Sequence, residues 1–431
     1  LRLAIVTRGA SSGFTGGDET SLLQAPVNGL ARVVRMEYPQ FEPIVIDLDP
    51  EPQAEEALAL AGVLTNLPAE PEVALRDGQL LIRRLNRVPT AEVGADDQSG
   101  SGRPSGAIPI PAGNYRLESA QPGMLDRLIL KPASRRAPGS GEVEVQVAAA
   151  GVNFRDVMKA LAIYPMQPGD VPWLGDEFAG RVVAVGEGVD LHIGDEVFGV
   201  APAAFGSVIS TRSDLVLRKP STISFEDAAT LPVAFTAALY ALKRLARLQR
   251  REKVLIHAAA GGVGQAAIQV AQAIGAQIFA TASEGKREFV RSMGVEHVYD
   301  SRSLAFADEI REATGGLGVD VVLNHLAGDF IPASISILAP FGRFVEIGKR
   351  DIFANSKIGL WPFRNNLSFF AVDMNRLGRD KTPVYASLLA EVYDGFESGL
   401  YRPLPKTVLR IQLAPSASRY LAQSRGAGPA A

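Results

Sequence analysis

The stretch KVLIHAAAGGVGQAAIQVAQAIGA, residues 253–276, constrains the fold more than any other. An apolar run leads into three glycines within four positions, Gly261, Gly262 and Gly264. Apolar residues at helical spacing follow directly. Strand, glycine turn and helix in that order make a place where main chain can approach a compact anion closely. The free N–H groups and the dipole of the helix start favour negative charge there. A side chain at Gly262 or Gly264 is expected to keep a pyrophosphate from the helix end, with Val263 in the same turn. The competing account is a tight turn that needs only positive φ. The downstream pattern favours the first: QIFATA, VDVVLN and GRFVEIG are apolar strands, separated by helical stretches such as AFADEIREAT. Strands alternating with helices define an α/β unit with a Rossmann-like, doubly wound parallel sheet.

The end of the second strand of that sheet tells one dinucleotide from another. An NAD site usually carries Asp or Glu there to hold the ribose 2′-hydroxyl. Here Ser283 stands at that place, Glu284 follows, and Lys286 and Arg287 come next, with Arg302 after the following short strand. Cations suit a 2′-phosphate. Two charge-assisted bonds of about 1.5–3 kcal/mol each favour NADPH over NADH by roughly two to four powers of ten. Ser283, Lys286 and Arg302 are the expected contacts, and Arg287 reads better as a solvated charge on a helix face. Hydride transfer is the chemistry such a site serves.

Composition removes several alternatives. The 431 residues leave room for two or three domains, and a net charge of −3 makes no case for nucleic acid. No apolar run reaches the length of a bilayer span, and no secretory signal opens the chain. Leu1 is not a start methionine, which reads as an excerpt of a longer polypeptide. There is no cysteine, so thiol catalysis and thiolate metal sites are excluded. His192, His257, His297 and His325 are scattered, and a metal site would need the fold to gather them. A reducing, cytoplasmic setting fits this composition.

Three segments differ in texture. Residues 1–90 read as a small α/β block: LAIVT and PIVIDLD as strands, APVNGLARVVRMEY and EEALALAGVLTNL as helices, and EVALRDGQLLIRRL as a hairpin around Asp-Gly. Residues 91–112 are a linker rich in Gly, Ser and Pro. From residue 113 to 231 short Val-rich runs alternate with Gly and Asp turns, a β-rich, barrel-like pattern; residues 232–372 carry the strand–helix alternation.

HAAAGGVGQAAIQ, NFRDVMKALAIYP, LGDEFAGRV, GVDVVLNHLAG and GRFVEIGKRDI together resemble the enoylreductase domains of polyketide and fatty acid synthases, members of the medium-chain dehydrogenase/reductase superfamily. The resemblance runs from about residue 113 to 425. LAIVTRGASSG, APVNGLARVVRMEYPQF and VIDLDPEP resemble the truncated, structural half of a ketoreductase, which precedes the enoylreductase in such synthases. The pair resembles part of a fully reducing polyketide synthase of the mycocerosic acid synthase type. The resemblance implies that residues 113–231 and 373–431 form a GroES-like substrate domain into which the NADPH-binding domain, 232–372, is inserted. It implies reduction of enoyl thioesters carried by an acyl carrier protein, with the other domains of the same synthase as partners and family analogy for a homodimer. No nucleic acid or membrane partner is implied.

Two absences sharpen this. Zinc alcohol dehydrogenases of the superfamily use Cys and His ligands, whereas the corresponding stretch here is Gly175, Asp176, Glu177, so hydride transfer without zinc is expected. A working short-chain ketoreductase needs a Tyr and Lys pair, and the first lysine of this chain is Lys131; the N-terminal block is expected to be structural. For the larger unit the resemblance carries over three candidates for α-protonation: Tyr164 in ALAIYP, associated with a 2S outcome at α-methyl carbons, and Lys349 in EIGKRD with Asp373 in FFAVDM. It places Asn153, Thr236, Asn324 and Leu326 near the nicotinamide. His325 departs from the small residue usual in relatives, and RNNLSFF reads as core or as acyl-channel lining. Two other readings use the same residues: a quinone oxidoreductase of the same superfamily, and a non-catalytic scaffold within a megasynthase. The ketoreductase-like block argues against the first. The intact glycine turn, Lys286, Arg302 and Tyr164 argue against the second.

Overall fold

The computed structural model describes residues 3–11, 23–68, 70–82, 107–166 and 170–422. The chain divides into two compact units, Leu1–Gly102 and Arg103–Ala431. The linker read at 91–112 lies outside the described residues up to 106.

In the first unit β1 (Ala4–Arg8), α1 (Ala25–Glu37), β2 (Ile44–Leu48), α2 (Glu56–Thr65), β3 (Glu72–Arg76) and β4 (Gln79–Ile82) follow the order read from the sequence. The sheet order is β1-β2-β3-β4, parallel except for the final hairpin, where Asp77 and Gly78 take the positive φ that a tight Asp-Gly turn requires. Ile44, Ile46, Leu48, Val73 and Leu75 form the core. Asp47 sits inside this unit with no exposed surface. Its carboxylate accepts from the Thr7 hydroxyl at 2.7 Å, the Ala10 N–H at 2.8 Å, the Ser11 N–H at 3.2 Å and the Arg76 guanidinium at 2.7 Å. The main-chain donors after β1, where a dinucleotide-binding block would offer a phosphate its seat, are thus held by the protein's own anion. The remaining glycines of TRGASSGFTGG lie outside the described residues.

The second unit has two lobes. The first contains β5 (Tyr115–Ser119), β6 (Leu128–Pro132), β7 (Glu142–Gly151), α3 (Phe154–Ala160), β8 (Glu177–Val185), β9 (Glu196–Val200), β10 (Val208–Arg212), β11 (Val216–Arg218) and α4 (Phe225–Ala228). Its antiparallel sheet has the order β10-β7-β8-β9-β11, over a core that includes Val143, Val145, Phe178 and Val197. The second contains α5 (Pro232–Leu239), β12 (Lys253–Ile256), α6 (Gly262–Ile274), β13 (Gln277–Ala282), α7 (Glu284–Ser292), β14 (His297–Asp300), α8 (Phe306–Ala313), β15 (Val319–Asn324), α9 (Phe330–Ser336), β16 (Leu338–Glu346), α10 (Arg350–Phe353) and β17 (Ser368–Ala371). All six strands are parallel, in the order β14-β13-β12-β15-β16-β17. The order reverses between β12 and β15, and the crevice outside the strand ends at such a switch point is where ligands bind.

The chain closes with α11 (Met374–Asp380), α12 (Thr382–Glu397) and α13 (Ala414–Ala422). Tyr385, Leu388, Leu389 and Val392 of α12 share one cluster with Phe235 of α5, Ala266 of α6 and Phe198 of β9, so both lobes rest on a common core. Ala414 of α13 packs with Leu117, Leu128 and Phe205 of the β-rich lobe. The apolar stretch PVAFTAALYALKRLA, 232–246, changes helix type along its length: α5 ends at Leu239 and residues 240–245 wind as a π-helix. Phe363, Leu367 and Phe369 of the 363–370 region pack in the lower core of the parallel sheet, which settles RNNLSFF as core.

Removing one partner of a buried ion pair leaves the other uncompensated. Asp47→Ala is expected to destabilise the N-terminal unit by about 3–5 kcal/mol. In urea denaturation the transition of that unit should move to lower concentration while that of the second unit stays in place.

Candidate active site

Gly261 caps α6 and supplies no side-chain bond to the first N–H groups of that helix. Gly261 is exposed and Gly262 and Val263 are half-exposed, so the helix start is open. Gly264 is buried, and a Cβ there would lie 2.5 Å from the Ala258 carbonyl oxygen and 2.6 Å from the Ala259 Cα. This corrects the expectation for Gly264: a side chain would strike the chain's own turn, so this glycine serves the close packing of helix on turn. Ala258 itself has φ 49°, a left-handed conformation uncommon for alanine. The open helix start with uncapped donors fits a pyrophosphate.

Ser283 caps α7 without using its hydroxyl for the cap, and Lys286 is half-buried one turn on, its ammonium pKa lowered by burial. The Ser301 N–H donates to the Ala282 carbonyl at 3.1 Å, which sets the loop carrying Arg302 beside them. Arg302 is exposed. Arg287 pairs with Asp300 at 3.2 Å and is a tie between α7 and β14, not the solvated charge expected.

At the ends of the next strands the structure gathers residues far apart in sequence. Lys349 follows β16 and Asp373 follows β17, and their side chains meet at 2.8 Å. The Lys349 ammonium also lies 5.3 Å from the centre of the Tyr164 ring. Asp373 caps α11, accepting from the Asn375 and Arg376 N–H groups at 3.1 Å. Burial pushes its carboxyl up, but the bonds from Lys349 and Arg376 outweigh this and hold it below the usual range. Tyr164 is 9 % exposed, and its hydroxyl is buried without a hydrogen-bond partner among the described residues. All three residues line one cavity of about 710 Å³, shared with Trp173, Val233, Phe353 and Met374. That size suits a small-molecule site.

One wall of the same cavity carries residues that sequence reasoning passed over. Arg155 and Lys159, one turn apart on α3, both bond Asp176, Arg155 at 2.8 Å through Nε and Lys159 at 3.0 Å. Burial acts against the Asp176 charge, but these two cations hold its pKa below normal. Arg155 and Lys159 line the cavity too. The i, i+4 spacing of two cations in NFRDVMKA was the available signal. Behind this wall, Asn153 donates to Glu177 at 2.8 Å and the Val233 N–H donates to the other Glu177 oxygen at 2.8 Å. Burial pushes Glu177 up to about 8 against those two bonds, and burial with the nearby Asp176 charge pushes Asp156 up to about 7.

Zinc does not fit here. Asp176, in the stretch read against the zinc enzymes, is already claimed by two cations, and Asn153 and Glu177 bond each other. Among the described residues no group of three or more His, Asp or Glu is placed to hold a metal.

Thr236 and Asn324, expected beside the nicotinamide, have no exposed surface. Thr236 donates to the Pro232 carbonyl at 2.5 Å and sits against the Tyr385 hydroxyl at 3.2 Å, so it lies beneath the cavity wall. Asn324 bonds Leu326 main chain on both sides and donates to Glu346 at 2.6 Å. Leu326 is half-buried in the loop beyond β15. Burial pushes the Glu346 carboxyl up to about 7 and the His325 imidazole down to about 4; His325 Nε2 is buried and unpartnered. His257 is a core residue, bonded to Thr281 at 2.9 Å and Ser334 at 2.8 Å.

A doubly wound parallel sheet joined to a β-rich lobe defines the medium-chain dehydrogenase/reductase class. Residues 262–391 match the family described as Zinc-binding dehydrogenase, 139–216 the Alcohol dehydrogenase GroES-like domain, and 1–85 the Polyketide synthase extender module SpnB, Rossmann fold domain. The crystal structure of CurK enoyl reductase aligns with TM-score 0.68 and 41% identity, over 74% of this chain and 98% of that one. The apo JamJ enoyl reductase gives 0.69 and 36%, over 74% and 98%. This chain belongs to the enoyl reductase family of polyketide synthases. A phenolphthiocerol/phthiocerol polyketide synthase polypeptide of Mycobacterium tuberculosis is 40% identical over 440 residues, 99% of this chain and 20% of its own length. A Mycocerosic acid synthase-like polyketide synthase of Mycolicibacterium smegmatis is 42% identical over 408 residues, 94% of this chain and 19% of its own length. The chain thus spans about a fifth of the curated relatives it matches.

Glu177 gives the site a pH signature. Its folded pKa of about 8 lies above the unfolded value of 4.5, so the folded state binds the proton more tightly. Its stabilising contribution is complete below pH 4.5 and lost as pH rises toward 8. Glu177→Gln removes that loss. Its unfolding free energy relative to wild type should rise by about 1.4 kcal/mol per pH unit across this window in denaturant titrations.

Proposed function

We propose that this chain reduces the α,β-double bond of an enoyl thioester with NADPH during polyketide-type chain elongation, the substrate arriving on an acyl carrier protein. The observation that carries this reading is the convergence of Lys349, Asp373 and an unpartnered Tyr164 hydroxyl on one cavity, in a chain of the enoyl reductase family. No helix among the described residues is long and apolar enough to cross a membrane. In this reading residues 232–372 form the cofactor side, and 113–231 with 373–431 the acyl side. The other domains of the parent synthase are its partners.

The pyrophosphate of NADPH would rest on the open start of α6 at Gly261, Gly262 and Val263, with Gly264 allowing the helix to sit close. Ser283, Lys286 and Arg302 would hold the 2′-phosphate, and Leu326 would wall the nicotinamide, with Asn153, Thr236 and Asn324 supporting that wall from behind. NADPH supplies the hydride that adds to the β-carbon. Negative charge then builds on the thioester oxygen. Lys349 and Arg155, each held by a carboxylate, stand at the cavity wall to stabilise it. The Tyr164 hydroxyl and the Lys349 ammonium are the two proton sources at the α-carbon. Asp373 stays ionised and keeps Lys349 aimed.

Three outcomes are expected. Lys286→Ala should raise the NADPH KM about ten- to hundredfold and leave that for NADH nearly unchanged, as loss of one charge-assisted bond requires. Enoyl thioesters should turn over where quinones do not. Among Tyr164→Phe, Lys349→Ala and Asp373→Ala, at least one should lower the single-turnover rate by about 10²-fold or invert the α-methyl configuration. Normal rate and unaltered configuration in all three would contradict the assignment.

A further inference from the structure

Glu346 is the last residue of β16 and 2 % exposed. One carboxylate oxygen accepts from the Gly348 N–H at 2.6 Å, and the other from the Asn324 side-chain amide at 2.6 Å. Its main-chain carbonyl accepts from the Val372 N–H at 2.8 Å. Asn324 in turn donates to the Leu326 carbonyl at 2.7 Å and accepts from the Leu326 N–H at 3.2 Å. One buried residue therefore ties together the ends of three successive strands, β15, β16 and β17. The loops that leave them carry Leu326, Lys349 and Asp373.

The link to Lys349 is short and tight. Gly348 precedes Lys349, and a Cβ at Gly348 would come within 2.7 Å of the Glu346 carboxylate and 3.4 Å of the His325 carbonyl. Both ends of the Glu346 side chain face N–H donors, so only an acceptor pair satisfies them. An amide in its place turns its own NH₂ toward one of them. Flipping Asn324 to accept that NH₂ would aim the Asn324 donor at the Leu326 N–H. No orientation of the two amides satisfies every bond.

We propose that Glu346 is a positioning residue, which through the Gly348 N–H holds the Lys349 ammonium against Asp373 at the cavity. The proposal rests on Lys349 and Asp373 serving the reduction inferred above. Glu346 touches no reacting atom and acts only through Lys349.

The test compares Glu346→Gln in the native chain and in the Lys349→Ala background, using NADPH and an α-methyl enoyl thioester. The native background should lose kcat about tenfold or more, since small misplacement of an acid–base group forfeits part of its effect. In the Lys349→Ala background the same change should alter kcat less than about twofold, because two residues acting as a unit are not additive. Gly348→Ala strikes the same link from the other side and should show the same dependence on Lys349, which keeps the test sound if the Gln variant folds poorly. Independently of turnover, amide exchange across residues 346–351 of the cofactor-free protein should quicken in Glu346→Gln. Unchanged kcat, an equal loss in both backgrounds, or unchanged exchange would overturn the proposal. If the native chain fails to reduce the thioester, the functional reading falls, and the exchange measurement still decides whether Glu346 holds this loop.

Discussion

The structure depends on how closely one helix approaches one turn. At Gly264 the backbone of α6 lies so near Ala258 and Ala259 that no Cβ fits, and the helix starts after a short turn, residues 257–261, beyond β12. That approach places open N–H donors at the switch point of the sheet, where β12 and β15 part in opposite directions. The other half of the cleft inherits its position from the same core. Phe198 of the β-rich lobe, Phe235 of α5 and Leu388 of α12 belong to one cluster, so the wall bearing Tyr164 and Arg155 is built on the same packing as the cofactor side.

Charge follows a consistent plan around the cavity. Three of the cations that line it, Arg155, Lys159 and Lys349, are each held by a carboxylate of the same cavity, Asp176 or Asp373. The carboxyls farther back, Glu177, Asp156 and Glu346, have main-chain or amide donors in place of bonded cations, and burial raises all three. Fixed positive groups at the cavity surface suit a reaction in which negative charge appears on a substrate oxygen. The N-terminal unit shows the reverse use of the same chemistry. Asp47, paired with Arg76, takes the main-chain donors after β1.

What could be read in advance was what has a local period. The glycine turn, the alternation of strand and helix, and the Asp-Gly hairpin are written in consecutive residues, and each formed where expected. The pairing of Lys349 with Asp373 was not local. The two lie twenty-four residues apart on different strand ends, and only family resemblance named them together. The Asp47 network and the three-strand tie at Glu346 escaped for the same reason, since no spacing rule joins residues that meet only when parallel strands align. The π-helix at 240–245 escaped because its apolar pattern matches that of an α-helix. Gly264 was found by its motif but for an incomplete reason, because the sequence does not show that the nearest atoms would belong to its own chain.

The most direct test of the central claim is the fate of a labelled hydride. NADPH deuterated at its transferable position should be mixed with the protein and an enoyl thioester in ordinary water for a single turnover, and the product read by NMR. The account predicts one deuterium at the β-carbon and a solvent-derived proton at the α-carbon. Unreduced thioester, or product with no deuterium at the β-carbon, would contradict it.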